Sequence, residues 1–149
     1  MPGPQPSILK MRSGQNAVAG GTTQPGWVSG DIASLAAAGT ATVIFDLGPN
    51  WDQYNVVQVA LVPAGPSSGL NAVAAYSSAD PAFNAAQDPQ LNYTWGTSFG
   101  PAAGAAVATP QSAMFTPMDR YLIVRATNAD GANAQGAGAF VQLSAHPVV

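Results

Sequence analysis

Thr40-Ala41-Thr42-Val43-Ile44-Phe45-Asp46-Leu47, then Gly48-Pro49-Asn50, then Tyr54-Asn55-Val56-Val57-Gln58-Val59-Ala60-Leu61-Val62: this passage decides the fold class. In its first part Thr42, Ile44 and Asp46 alternate with Val43, Phe45 and Leu47, the period of two that puts successive side chains on opposite faces of a strand. In its last part the aliphatic residues are β-branched and nearly continuous, which suits a central strand. Gly48-Pro49-Asn50 separates the two with turn chemistry, and Pro63-Ala64-Gly65-Pro66 stops the second.

Further along, residues 70–76 give a third, weaker strand closed by Ser77-Ser78-Ala79-Asp80-Pro81, after which Phe83 is expected to pack back on the core. Residues 84–112 read as long loops, with Tyr93-Thr94-Trp95 as a short strand amid Pro89, Gly96, Gly100, Pro101 and Gly104. A clear late strand spans residues 120–127, where Tyr121 and Ile123 oppose Leu122 and Val124. Asn128-Ala129-Asp130-Gly131 then makes a turn, and residues 139–145 return as a last strand through Phe140, Val141 and Leu143. Residues 32–38 alone carry helix signals, with Asp31 as an N-cap and Gly39 as a terminator. So short a stretch reads equally well as a strand flanked by small residues. Strands at intervals, loops rich in Gly and Pro, and no repeat of fixed period predict an all-β chain, an antiparallel β-sandwich of jelly-roll type.

The first 26 residues differ in texture, being rich in Pro, Gly, Gln and Ser, and a segment of that kind cannot offset its ordering entropy by burying itself. The expected organisation is an extended N-terminal arm over residues 1–26 and a sandwich domain over residues 27–149. Within the arm Ile8, Leu9, Lys10, Met11 and Arg12 form a compact anchor able to add to a neighbour's surface; the alternative is an unstructured terminus.

At 149 residues the length fits one domain, and with no cysteine neither a disulfide framework nor a thiolate metal site is available. Met1 is followed by Pro2-Gly3-Pro4 instead of a basic-then-apolar leader, and no apolar run reaches the roughly 18 residues that span a bilayer, so neither export nor a membrane partner is expected. Only 7% of residues are charged, against about 25% in ordinary soluble domains. A surface so neutral predicts that much of it is covered in an assembly, a homo-oligomer or a particle such as a virion; the alternative is a small domain solvated by Ser, Thr, Asn and Gln. The net charge is -3, and Lys10, Arg12, Arg120 and Arg125 are the only Lys or Arg residues. They are too few to track phosphates, so no nucleic-acid partner is expected.

No catalytic residues are expected. The single histidine, His146, reads as a solvated tail residue beside Pro147, and neither Ser67-Ser68 nor Ser77-Ser78 sits in a Gly-x-Ser-x-Gly elbow. Asp46 and Asp52 are the pair that would be asked to run glycoside hydrolysis, but seven aspartates produce such pairs by chance. Asp80, Asp88 and Asp130 lie in turn contexts without the spacing of a calcium loop, so no metal and no cofactor is expected. No phosphate-binding or dinucleotide-binding glycine loop is present. The remaining candidates are Trp27, Trp51, Tyr93 and Trp95, as interface anchors or sugar-stacking platforms, with Trp51 first because it follows a predicted loop.

The succession Phe45-Asp46-Leu47-Gly48, Val56 to Leu61, Ala75-Tyr76-Ser77-Ser78-Ala79-Asp80 and Arg120-Tyr121-Leu122-Ile123-Val124 resembles galactose-binding-like jelly-roll domains over residues 41–143. The chain as a whole also looks like the small structural proteins of tailed-phage virions: Ala, Gly and Pro throughout, no Cys, no Glu, few charges and an extended arm. That second resemblance implies a non-enzymatic capsid decoration or cement protein, or a module of the tail, located in the virion, whose partners are the major capsid protein or other virion subunits. The first implies the alternative, a glycan-binding module of a phage tail or a secreted protein.

Overall fold

A computed structural model describes residues 7–9, 18–24, 27–62, 70–82, 84, 86–91, 111–128, 131–134 and 137–147. These residues form β1 (Ser7–Leu9), β2 (Val18–Gln24), β3 (Trp27–Ile32), β4 (Thr40–Asp46), β5 (Tyr54–Val62), β6 (Leu70–Ser78), β7 (Gln111–Phe115), β8 (Tyr121–Asn128) and β9 (Ala139–Pro147), with one 3-10 turn at Trp51–Gln53.

Four strands make one sheet in the order β1-β4-β8-β6, and five make another in the order β2-β3-β9-β5-β7. Every strand pairing is antiparallel. The pairings β3 with β9, β4 with β8 and β5 with β7 nest around β6, so the chain is a doubled ribbon. Successive rungs of that ribbon alternate between the sheets, and the wrap brings β9 beside β5 and β8 beside β6. This is the jelly-roll sandwich expected from the sequence.

Alternation decides which residues meet between the sheets. Val43, Phe45, Leu122 and Val124 enter from the four-stranded sheet, and Val57, Val59, Leu61, Val141, Leu143 and Phe115 enter from the five-stranded one, all within one cluster and essentially hidden from solvent. Each such side chain stabilises the fold by about 1.5–3 kcal/mol through burial. Register holds them there: Phe45 pairs with Leu122 and Val59 with Leu143, and a slip by one residue would turn the whole set outward. At Tyr54/Val56 a bulge resets the phase of β5, so that Tyr54 also lies in the core.

The strands expected around residues 40–47, 54–62, 70–76, 120–127 and 139–145 are β4, β5, β6, β8 and β9. Residues 32–38, where a helix was one of two readings, hold no helix. Asp31 caps nothing; it is exposed within β3 and pairs with Phe140, and the chain turns at residues 37–38 with Ala38 at φ +57°. Ile32 and Leu35 are 1% and 2% exposed, and their burial together with the β3 ladders outweighs the weak nucleation of a two-turn helix. The long-loop region ends earlier than expected, because β7 begins at Gln111. Phe83 and Tyr93-Thr94-Trp95 lie outside the described residues. Two stretches of the first 26 residues belong to the sheets: β1 lies along β4, and β2 along β3.

Candidate functional site

The connection out of β4, the chain leaving β6 and the connection into β8 all emerge at one end of the sandwich, because Asp46, Tyr121 and Ser78 occupy one cross-strand row. An ion pair organises this end. The Arg120 guanidinium donates from Nε to Asp46 Oδ1 at 2.8 Å and from Nη2 to Asp46 Oδ2 at 2.9 Å, a bidentate fork. The same Oδ1 accepts the Gly48 N–H at 2.8 Å, and the Leu47 N–H donates to the Arg120 carbonyl at 2.9 Å. Gly48 has φ +86°, so the tight turn that lets the carboxylate reach back to its N–H favours glycine there. Arg120 also sits 5.2 Å from the centroid of the Tyr121 ring, within cation–π range.

The Arg120 hydrogen bonds, before all else, hold the Asp46 carboxyl below its ordinary range, with the Gly48 N–H adding to the effect against partial desolvation. A carboxylate kept ionised in this way has no proton to give as a general acid. Asp52 stands exposed in the 3-10 turn. Sequence reasoning placed Asp46-Leu47-Gly48 and Arg120-Tyr121 in two separate motifs and missed that they clasp each other. The signal was there, since two of the few charges in the chain each border a strand.

Beside the clasp lies an open crevice of about 630 Å³, lined by Ser77, Ser78, Asp80, Asn84, Gln87, Asp88, Pro89, Met118 and Asp119 among others. Its wall is a run of side-chain-capped turns: Ser78 Oγ accepts Asp80 N–H at 3.1 Å, Asp80 Oδ1 accepts Ala82 N–H at 3.0 Å, and Asp88 Oδ2 accepts Asn84 N–H at 2.7 Å. Residues 89–91 then run back along β6, with Ser77 N–H donating to the Pro89 carbonyl and Leu91 N–H to the Ala75 carbonyl. Met118, 62% exposed, is the one large apolar side chain so open among the described residues. Ser77 and Ser78 are 2% and 5% exposed and end β6; Ser78 caps the turn, as the sequence suggested, while Ser77 bonds Pro89 through its backbone.

The outer face of the five-stranded sheet is the second candidate surface. Its cross-strand rows run Ser144-Gln58-Met114 and Ser29-Gln142-Ala60-Ser112, followed by Asp31-Phe140-Val62. Ser29 is buried, Ser112 and Asp31 are exposed, and the others are half-buried. Asp31 is the single charge among these residues.

The remaining sequence candidates are dispersed. Trp51 begins the 3-10 turn and packs, half-buried, against the core cluster. Trp27 opens β3 opposite Ser144. Ile8 and Leu9 pair with Phe45 and Ile44. Lys10, Met11, Arg12, Tyr93 and Trp95 lie outside the described residues. His146, expected in a solvated tail, is instead part of β9 and pairs with Val56, because the β5 ladder continues to Pro147. Among the described residues no three His, Cys, Asp or Glu side chains are grouped as a metal would require, and no helix is long and apolar enough to cross a membrane. No protein-family model matches this chain, and neither a curated protein nor a solved structure matches it.

Proposed function

We propose that this chain is a non-enzymatic virion structural protein of the capsid decoration or cement type, which binds and stabilises neighbouring capsid subunits. The observation that carries this reading is the outer face of the five-stranded sheet, with Asp31 its single charge and amide, hydroxyl and apolar groups alternating across it. Such a face can be covered by a partner at the cost of desolvating one carboxylate at most, and ion desolvation is the main penalty of burying a charged surface. It resembles an interface core, where charged residues are depleted. A protein that binds only the assembled shell shifts assembly toward that state by mass action. The 7% charge content of the whole chain agrees with a molecule that spends its life covered.

The test is light scattering of the purified chain mixed with assembled shells of candidate major capsid proteins, with and without residues 1–26. Saturable binding that depends weakly on salt is the expected result. Absence of binding to every shell, together with retention on a glycan array, would overturn it.

A second reading, a glycan-binding module, is favoured by the crevice at the end of the sandwich, where Asn84, Gln87, Asp80 and Asp88 gather hydrogen-bonding groups beside exposed Met118. Titration with monosaccharides separates the two: a shift of resonances confined to residues 77–91 supports the glycan reading and leaves the sheet face unassigned.

A further inference from the structure

We infer that β1 is exchangeable between copies of this chain: the β4 edge that holds Ser7–Leu9 of its own chain takes the same three residues from a second copy. This rests on reading residues 1–26 as a docking arm, and it names both the partner and the seat.

The attachment is small. Ser7, Ile8 and Leu9 pair with Asp46, Phe45 and Ile44, three rungs at the edge of the four-stranded sheet. Edge pairing is made by backbone groups, so β4 offers another copy's strand the same ladder that it offers its own. Charge favours the contact in either arrangement. Residues 1–26 hold two cations, Lys10 and Arg12, and no carboxylate, whereas residues 27–149 hold two cations and seven aspartates. The attraction expected between a basic arm and an acidic body acts in either arrangement, and added salt, which screens charges over about 10 Å at 0.1 M, weakens both.

What selects between the two is concentration. Eight residues, 10–17, join β1 to β2, which lies in the other sheet. Fully extended, such a tether reaches at most about 26–29 Å, and a short tether gives its own strand an effective concentration in the millimolar range. Dilute protein keeps the arm at home. Copies crowded on a shared surface reach the same millimolar range, and there the strand passes to the neighbour with no new interface needed.

The experiment uses the full chain carrying a photoreactive diazirine amino acid at position 9, prepared once at natural isotope abundance and once labelled with nitrogen-15. The two are mixed in equal amounts, irradiated at concentrations from micromolar to millimolar, and digested. Expected are peptides joining position 9 to β4, of uniform isotope at low concentration, with the mixed-isotope share rising toward about one half at millimolar protein; added salt should lower the yield of both products. Ile8→Pro should abolish both products. A mixed-isotope share that stays at zero across the range overturns the inference, as does absence of any position 9 to β4 product. No shell is present, so these outcomes are separate from shell binding: a chain that exchanges arms and still fails to bind shells counts against the decoration reading alone.

Discussion

On the outer face of the four-stranded sheet Ile44 and Ile123 stand side by side in register, 2% and 0% exposed, with Tyr76, Tyr121 and Arg125 in neighbouring positions. On the outer face of the five-stranded sheet the comparable central positions are Gln58, Ala60, Gln142 and Ser144, all half-buried. Both sheets contribute to the core between them, and the contrast lies in their backs. The first face has already hidden its large apolar groups and carries the charges, Asp46 and Arg125, with Arg120 at its margin. The second leaves its surface half-open and, among the described residues, carries a single charge, Asp31. A face already closed within the chain has little left to offer a partner, whereas a neutral, half-open one loses little by being covered.

The largest expected effect tests whether the first face is closed. Ile123→Ala should destabilise the protein by about 2–5 kcal/mol, the range for truncating a fully buried aliphatic side chain. Gln58→Ala on the opposite back should stay within about 0.5 kcal/mol. Urea unfolding of the two variants measures both, and similar small values would erase the distinction.

Next in size is the clasp at the margin of the four-stranded sheet. Asp46→Asn removes a bidentate pair whose arginine is 40% exposed, so solvent screening keeps the expected loss near 1 kcal/mol. The pH dependence has a definite sign. Because Arg120 holds the Asp46 pKa below its ordinary value, the pair's contribution is complete above about pH 4–5, the top of the unfolded carboxylate's titration. It is lost as pH falls through the depressed folded value. Melting temperatures from pH 7 to pH 2 should therefore fall less steeply in Asp46→Asn than in the parent, and parallel curves would show that the clasp is thermodynamically idle.

A smaller change of opposite sign is expected inside the five-stranded sheet. The Tyr54 hydroxyl is buried without a hydrogen-bond partner among the described residues, and burial pushes its pKa up. Tyr54→Phe removes a polar group that was desolvated for no return, so stability should rise by up to about 1 kcal/mol. A pKa raised on folding means that the parent's stability holds below the unfolded tyrosine value of about 10 and declines above it. The variant should lack that part of the alkaline decline. A net loss of stability would mean that the hydroxyl has a partner in solution.

The alternating pattern of Thr40–Asp46 and the aliphatic run of Tyr54–Val62 made the sandwich legible in the sequence, since period two has one structural meaning when turns bracket it. Trp27–Ile32 was illegible for the same reason that it folds: Ser29, Gly30 and Asp31 have low strand propensity, and pairing on both sides with β2 and β9 supplies what propensity does not. The site was less legible than the fold. The charge deficit was readable at once, but which back of which sheet carries it depends on pairings between residues far apart in the chain, as between Trp27 and Ser144 or Val62 and Phe140, which no local pattern encodes.

The smallest effect on folding is also the sharpest test of the two backs. Ala60 lies half-buried between Gln142 and Ser112 in the middle of the five-stranded sheet. A lysine placed there can run its stem along the sheet and leave its ammonium in water, so Ala60→Lys should alter stability by no more than about 0.5 kcal/mol. Covering that face would then strand a charge, and affinity for assembled shells should fall at least about tenfold, or 1.4 kcal/mol. Thr40→Lys puts the same charge on the back of the four-stranded sheet, where a part-buried hydroxyl contact with Thr127 is lost, and should leave shell binding unchanged. Equal losses from both variants would mean that net charge, and not the face, governs docking; a loss from Thr40→Lys alone would move the docking surface to the other sheet.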